Sequence, residues 1–147
     1  MTHRLLAAGA ATGLLALAGC GGSSTDVKSQ INKICKDTNT KLKSLKLSSE
    51  ADIATKGAKA LPIIKDGLTR MGKVKASNDT IKAHKADYTQ FLTTFAEAGI
   101  AFQTMVSAAQ AKDAAALKSA EAQFQKFNAQ NDAVAKKLGF NDCVSGG

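Results

Sequence analysis

Apolar residues recur at spacings of three and four along most of this chain, the period of an amphipathic helix. Val27, Ile31, Ile34, Cys35, Thr38, Leu42 and Leu45 form one stripe and predict a first helix over about 26–46. Ser48-Ser49-Glu50 then reads as a break and a new start, with Ser49 as N-cap. A second helix follows over about 50–74, with Ile53, Gly57, Ala60, Leu61, Ile64, Leu68 and Met71 on its stripe. Pro62 falls inside that stripe without shifting its phase, so one helix kinked at Pro62 is expected rather than two. Ser77-Asn78 reads as the start of a third helix running to about Ala111, with Ile81, His84, Tyr88, Phe91, Leu92, Phe95, Gly99, Phe102, Val106 and Ala109 on one face. Asp113 caps a fourth helix carrying Leu117, Ala120, Phe124, Phe127, Asn131, Val134 and Leu138. Gly139 and Phe140 have the pattern of a Schellman ending. Four helices with one apolar face each bury those faces against one another. Short connections make neighbours antiparallel, so the expected fold is all-α, an up-and-down four-helix bundle.

The first 25 residues do not fit this pattern. Arg4 supplies a positive charge, Leu5 to Leu17 is free of charge, and Leu17-Ala18-Gly19-Cys20 closes the run. This is the layout of a secretory signal peptide, and its end resembles the lipobox of bacterial lipoproteins. The resemblance implies cleavage between Gly19 and Cys20 and a diacylglycerol on the Cys20 thiol. An uncleaved anchor is the alternative, but Leu5 to Gly19 gives 15 residues where a spanning helix needs about 20. The expected organisation is therefore a signal peptide over 1–19, a lipidated cysteine and Gly/Ser tether over 20–25, a bundle over 26–143 and a tail over 144–147. The location is extracytoplasmic, on the cell membrane.

Export changes the meaning of the cysteines. Three are present, Cys20, Cys35 and Cys143. Lipidation consumes the first and leaves a pair in an oxidising compartment. In an up-and-down bundle the fourth helix ends near the start of the first, so a Cys35–Cys143 disulfide is expected to close the domain. Two free, buried thiols are the alternative. Ile34-Cys35, a Pro-interrupted second helix and the ending Lys136-Lys137-Leu138-Gly139-Phe140-Asn141-Asp142-Cys143 together resemble small two-cysteine helical lipoproteins of actinobacteria. That resemblance implies the same anchored bundle and no particular reaction.

Charge separates the two halves of the exported chain. Residues 20–88 hold 14 Lys and Arg against 7 Asp and Glu, whereas residues 89–147 hold 5 of each. The basic half could rest on anionic lipid headgroups, wall polymer or an acidic envelope protein, with Lys41, Lys43 and Lys46 as the contacts. It could equally be a set of solvated helix faces. It lacks the interleaved aromatics of a single-strand nucleic-acid binder, and export argues against that partner.

Candidate chemistry is sparse. The exported chain has one histidine, His84, with Asp87 one turn on, too few ligands for a closed metal site. No Ser-His-Asp or Cys-His set can be assembled, no Walker-type glycine loop exists, and no carboxylate pair lies on an apolar stripe. No catalytic residue, metal or cofactor is expected. Asn131 is the polar residue on the fourth stripe, and a buried amide needs partners. It either bonds a neighbouring backbone or orients a ligand. All six phenylalanines lie in the second half, as core or as the lining of a cavity between helices three and four. Phe102, Phe124 and Asn131 would line that cavity. Two functions follow: a non-catalytic binding or scaffolding module of the envelope, or a carrier of a small apolar ligand or lipid.

Overall fold

A computed structural model describes residues 26–74 and 82–145. The expected signal peptide, the expected lipidation site Cys20 with its tether, the expected Ser77-Asn78 cap and Gly146-Gly147 lie outside the described residues. Four helices run in order: α1 Val27–Ser44, α2 Glu50–Gly72, α3 Lys85–Ala111 and α4 Ala114–Leu138. A single 3₁₀ turn, η1, spans Asn141–Cys143. No strand occurs among the described residues, and no helix there is long and apolar enough to cross a membrane.

Local chemistry sets most helix ends where the pattern places them. Asp26, Ser49 and Asp113 each cap a helix with a side-chain oxygen, accepting from Lys28, Asp52 and Ala116 N–H. Gly139 ends α4 in the left-handed region at φ 75°. Its N–H donates to Lys136 O, and Phe140 N–H donates to Ala135 O at 2.8 Å, the two bonds of a Schellman motif. The α3–α4 turn uses the same geometry with Lys112 at φ 55° in place of glycine.

Two expectations shift. Helix α3 begins at Lys85, with His84 as an N-cap that makes no side-chain capping bond. Lys82 and Ala83 are helical and His84 forms a turn before α3, so the helix expected to run continuously through His84 is interrupted there; its expected start near Ser77-Asn78 lies outside the described residues. Residues 82–86 are exposed, and Tyr88 is the first buried residue of α3. His84 is accordingly half exposed rather than part of the stripe. At the other end, the fold continues two residues past the expected boundary. Val144 packs on the core, and Ser145 N–H and Oγ both donate to the Asp132 carboxylate of α4.

Helix α2 runs unbroken past Pro62, whose ring lies on the exposed side, where the missing donor leaves the Ala58 carbonyl open to water. Its two inner glycines are points of close approach. A Cβ on Gly57 would stand 2.5 Å from Val106 Cγ2 of α3, and one on Gly67 would stand 2.8 Å from Thr38 Oγ1 of α1. The packing shows that these glycines seat α2 between α1 and α3.

The up-and-down arrangement follows from the contacts. Helix α3 packs broadly on α4 and on α2, and α1 packs on α2. The seam between α1 and α4 is bridged mainly by η1, which lies against α1. Cys35 and Cys143 are bonded there, their Cα atoms 5.0 Å apart across 108 residues of sequence.

Candidate functional site

The core is built in two pieces. Near the chain ends, Ile31, Met71, Phe91 and Phe140 gather with Val27, Ile34, Tyr88 and Leu138. Phe140 meets Phe91 edge-on at 5.1 Å between centroids, and Tyr88 Oη donates to Met71 O at 2.7 Å. Burial pushes the Tyr88 phenol above its ordinary pKa, which keeps it protonated as that donor. At the far end a second cluster joins Ala60, Phe102, Met105, Val106 and Ala120, with Phe124 and Ile64 against it.

Between the two clusters the stripes carry small or polar residues. Thr38, Thr94 and Asn131 are the buried polar side chains of the described chain, and Gly67, Ala98 and Gly99 lie at the same level. Small side chains there leave a cavity of about 200 Å³ lined from all four helices. Its walls include Leu42 of α1, Ile64 of α2, Phe95, Ala98 and Gly99 of α3, and Phe124 and Asn131 of α4. Asn39 and Asn128, half buried, and exposed Ser145 mark its mouth between α1 and α4, beside Cys143.

Asn131 takes the first of the two roles open to it, bonding the neighbouring helix. Its Nδ2 donates to Phe91 O at 2.8 Å and to Thr94 Oγ1 at 3.0 Å. Both amide protons are thus held by α3. Its Oδ1 accepts from no described residue. Every fully buried side-chain nitrogen and oxygen of the described residues has a partner, so Oδ1 retains access to open space, and Asn131 is among the residues that line the cavity. Of the three expected lining residues, Phe124 and Asn131 line it. Phe102 instead sits behind Phe124, its ring tilted against it with centroids 5.8 Å apart, because its position on α3 faces the far cluster. The cavity also reaches beyond helices three and four to α1 and α2. Thr38, Ala98 and Gly99 were the available signal: three small residues at one level of the stripes, where a filled core would carry Leu or Ile.

The lysines divide differently from the expectation. Lys41 turns toward α2, with Nζ 4.0 Å from Asp66. Lys46 lies beyond the end of α1 at φ 51°. Lys43 shares the outer face of α1 with Lys28, Lys33 and Lys36, all four exposed. Lys28, Lys33 and Lys36 border one surface depression with Asp26 and Asp142, and Lys36 and Lys43 border the next. The stripe is thus continuous from the first turn of α1 to its last, a length of about 22 Å at 1.5 Å per residue. On the neighbouring face, Arg70 pairs with Asp37 at 3.1 Å and with Asp66 at 3.8 Å, and there the charges are matched.

Two carboxylates outside the cavity are held low by their neighbours. Lys56, Ser49 and Ser48 surround the Asp52 carboxylate and hold it well below the usual carboxylate range. Lys137 donates to Asp87 at 2.8 Å and, with His84, lowers it as well. Among the described residues no cluster of three His, Cys, Asp or Glu is placed to hold a metal ion. No protein-family model, curated protein or solved structure matches the chain.

Proposed function

We propose that this protein is a membrane-anchored envelope lipoprotein that acts without catalysis, resting the lysine face of α1 on anionic lipid headgroups. The observation that carries the reading is the exposed Lys28–Lys33–Lys36–Lys43 stripe, which begins two residues after the Asp26 cap. The lipid on Cys20 supports it by placing that stripe close to the membrane. Residues 21–25 extend to roughly 15–18 Å at most, so the start of α1 stays within reach of the headgroups at high effective concentration. Lysines near an anionic surface contribute about 1 kcal/mol each, and carboxylates oppose them. Four lysines against Asp26 and Asp142 leave a net of two charges, about 2 kcal/mol, or roughly 30-fold in binding. That is weak for a free protein and sufficient to orient a tethered one.

The test uses the lipid-free chain from Gly21 onward. It should sediment with vesicles containing anionic lipid about 30-fold more strongly than with neutral vesicles, and the difference should vanish between low and moderate salt. Replacing Lys28, Lys33, Lys36 and Lys43 with Gln should abolish the difference, whereas Lys118→Gln with Lys126→Gln on α4 should leave it. Equal binding to both vesicle types would reject the reading. Binding to anionic wall polymer alone would reassign the same face to that surface.

A further inference from the structure

The mid-bundle cavity carries an inference separate from the basic face. We infer that it is a binding site for one small uncharged molecule, a single ring bearing a hydrogen-bond donor, of the phenol class.

Size comes first. An engineered cavity of about 150 Å³ with Leu, Ile and Phe walls takes up benzene in another protein. The present cavity is about 200 Å³. At roughly 30 Å³ for each water-sized group, it holds about six or seven non-hydrogen atoms. A single ring with one substituent fits. An acyl chain of sixteen carbons needs more than twice the space, so the lipid of the anchor is not the occupant.

Polarity narrows the class. No Asp, Glu, Lys, Arg or His lines the cavity, so an ion would lose its hydration with no opposite charge to replace it. The deep polar atoms are acceptors. Asn131, 4 % exposed, has both amide protons engaged by Phe91 O and Thr94 Oγ1, leaving Oδ1 as an acceptor for whatever enters. Thr38, also 4 % exposed, gives its proton to Ile34 O at 2.8 Å. A site whose buried polar atoms only accept selects a ligand that donates. Phe95, Phe124, Leu42 and Ile64 supply the apolar walls for its ring.

The mouth lies where the bundle is least tightly zipped. Helices α1 and α4 are joined there through η1 and the Cys35–Cys143 bond rather than through their own side chains alone. A ligand can therefore pass Asn39 and Asn128 without separating α2 from α3.

The experiment titrates the intact protein with phenol, toluene and benzoate, followed by NMR. A ligand of seven heavy atoms binds in the range of about 0.1–1 mM, so concentrations up to about 10 mM suffice. Phenol should bind about tenfold more tightly than toluene, which lacks the donor, and benzoate should not bind. Intermolecular NOEs from the phenol ring should reach the Leu42 and Ile64 methyls in the wild-type protein, a readout that needs no variant. Asn131→Leu should erase the preference for phenol over toluene, and Ala98→Leu should abolish binding of both by filling the space. Equal affinity for phenol and toluene, NOEs only to surface residues, or a cavity that holds water alone at these concentrations would each overturn the inference.

Discussion

Substituting Gly57 by Ala sets two known effects against each other within one helix. In a helix interior, Gly→Ala favours the folded state by about 1 kcal/mol, because glycine loses more backbone freedom on folding. At Gly57 the new methyl would lie 2.5 Å from Val106 Cγ2, well inside van der Waals contact. Val106 is 3 % exposed and β-branched in a helix, so it cannot turn to another rotamer cheaply. Overpacking of this kind costs about 1–3 kcal/mol, and a stiff buried neighbour places Gly57 at the upper end. The expected net loss is about 1–2 kcal/mol. At about 2.1 cal/mol/K per residue over a domain near 120 residues, that lowers Tm by roughly 4–8 °C. Gly72, in the last turn of the same helix, has nothing within 4 Å of an added Cβ, and Gly72→Ala should raise Tm by about 2 °C. Thermal unfolding by circular dichroism, with the disulfide intact, measures both. Val106→Ala in the Gly57→Ala background should cost less than the two single changes added together, a coupling of about 1–2 kcal/mol. A Gly57→Ala protein as stable as Gly72→Ala, or strict additivity with Val106→Ala, would refute the close packing of α2 on α3.

Three further outcomes follow from other parts of the molecule. Replacing Cys35 and Cys143 together with Ala opens a loop of 108 residues. The chain-entropy model gives that loop about 4–5 kcal/mol, so Tm should fall by roughly 15–20 °C; a change under about 5 °C would mean that the bond constrains little of the unfolded chain. Asp52 and Asp87 have folded-state pKa values below their unfolded ones. Their contribution is therefore present above about pH 4 and lost as pH falls through the folded values. Carboxyl-carbon NMR should place both midpoints below an ordinary aspartate, and a midpoint at or above about 3.9 for Asp52 would contradict its Ser48–Ser49–Lys56 setting. Cys20→Ala should release the protein from membranes or block its processing, and a mature N-terminus at any residue other than Cys20 would exclude the lipid anchor.

Periodicity made the helices legible because each stripe is long and each cap is a residue with one dominant use. Asp26, Ser49 and Asp113 illustrate this at helix starts, and Gly139 with Phe140 does so at the last helix end. The Cys35–Cys143 bond was legible from topology, since three reversals between four helices return the C-terminus to the end where α1 begins. The turn at His84, just before α3, was not. His84 satisfies the spacing of the apolar stripe, but spacing cannot say where the neighbouring helices stop covering a face, and coverage begins at Tyr88. The lysine face was legible only as a half-chain excess. Lys41 and Lys43 are two residues apart and therefore about 200° around α1 from one another, so which of them faces Asp66 depends on where α2 lies. The cavity was half legible. Asn131 stands out as a polar residue on an apolar stripe, whereas its walls come from α1 and α2, elements that pattern alone does not bring to it.

The central claim is that the outer face of α1 lies on the membrane, and the position of that face is directly measurable. The lipidated protein would be placed in vesicles containing anionic lipid and a paramagnetic headgroup label, and NMR relaxation would be read along the chain. With the α1 face on the membrane, broadening should be strong at Lys28, Lys36 and Lys43 along the full length of α1, slight at Lys118 and Lys126 of α4, and lost at high salt. Broadening confined to the residues next to the tether, with Lys43 as unaffected as Lys126, would show a bundle that stands away from the surface and would contradict the account.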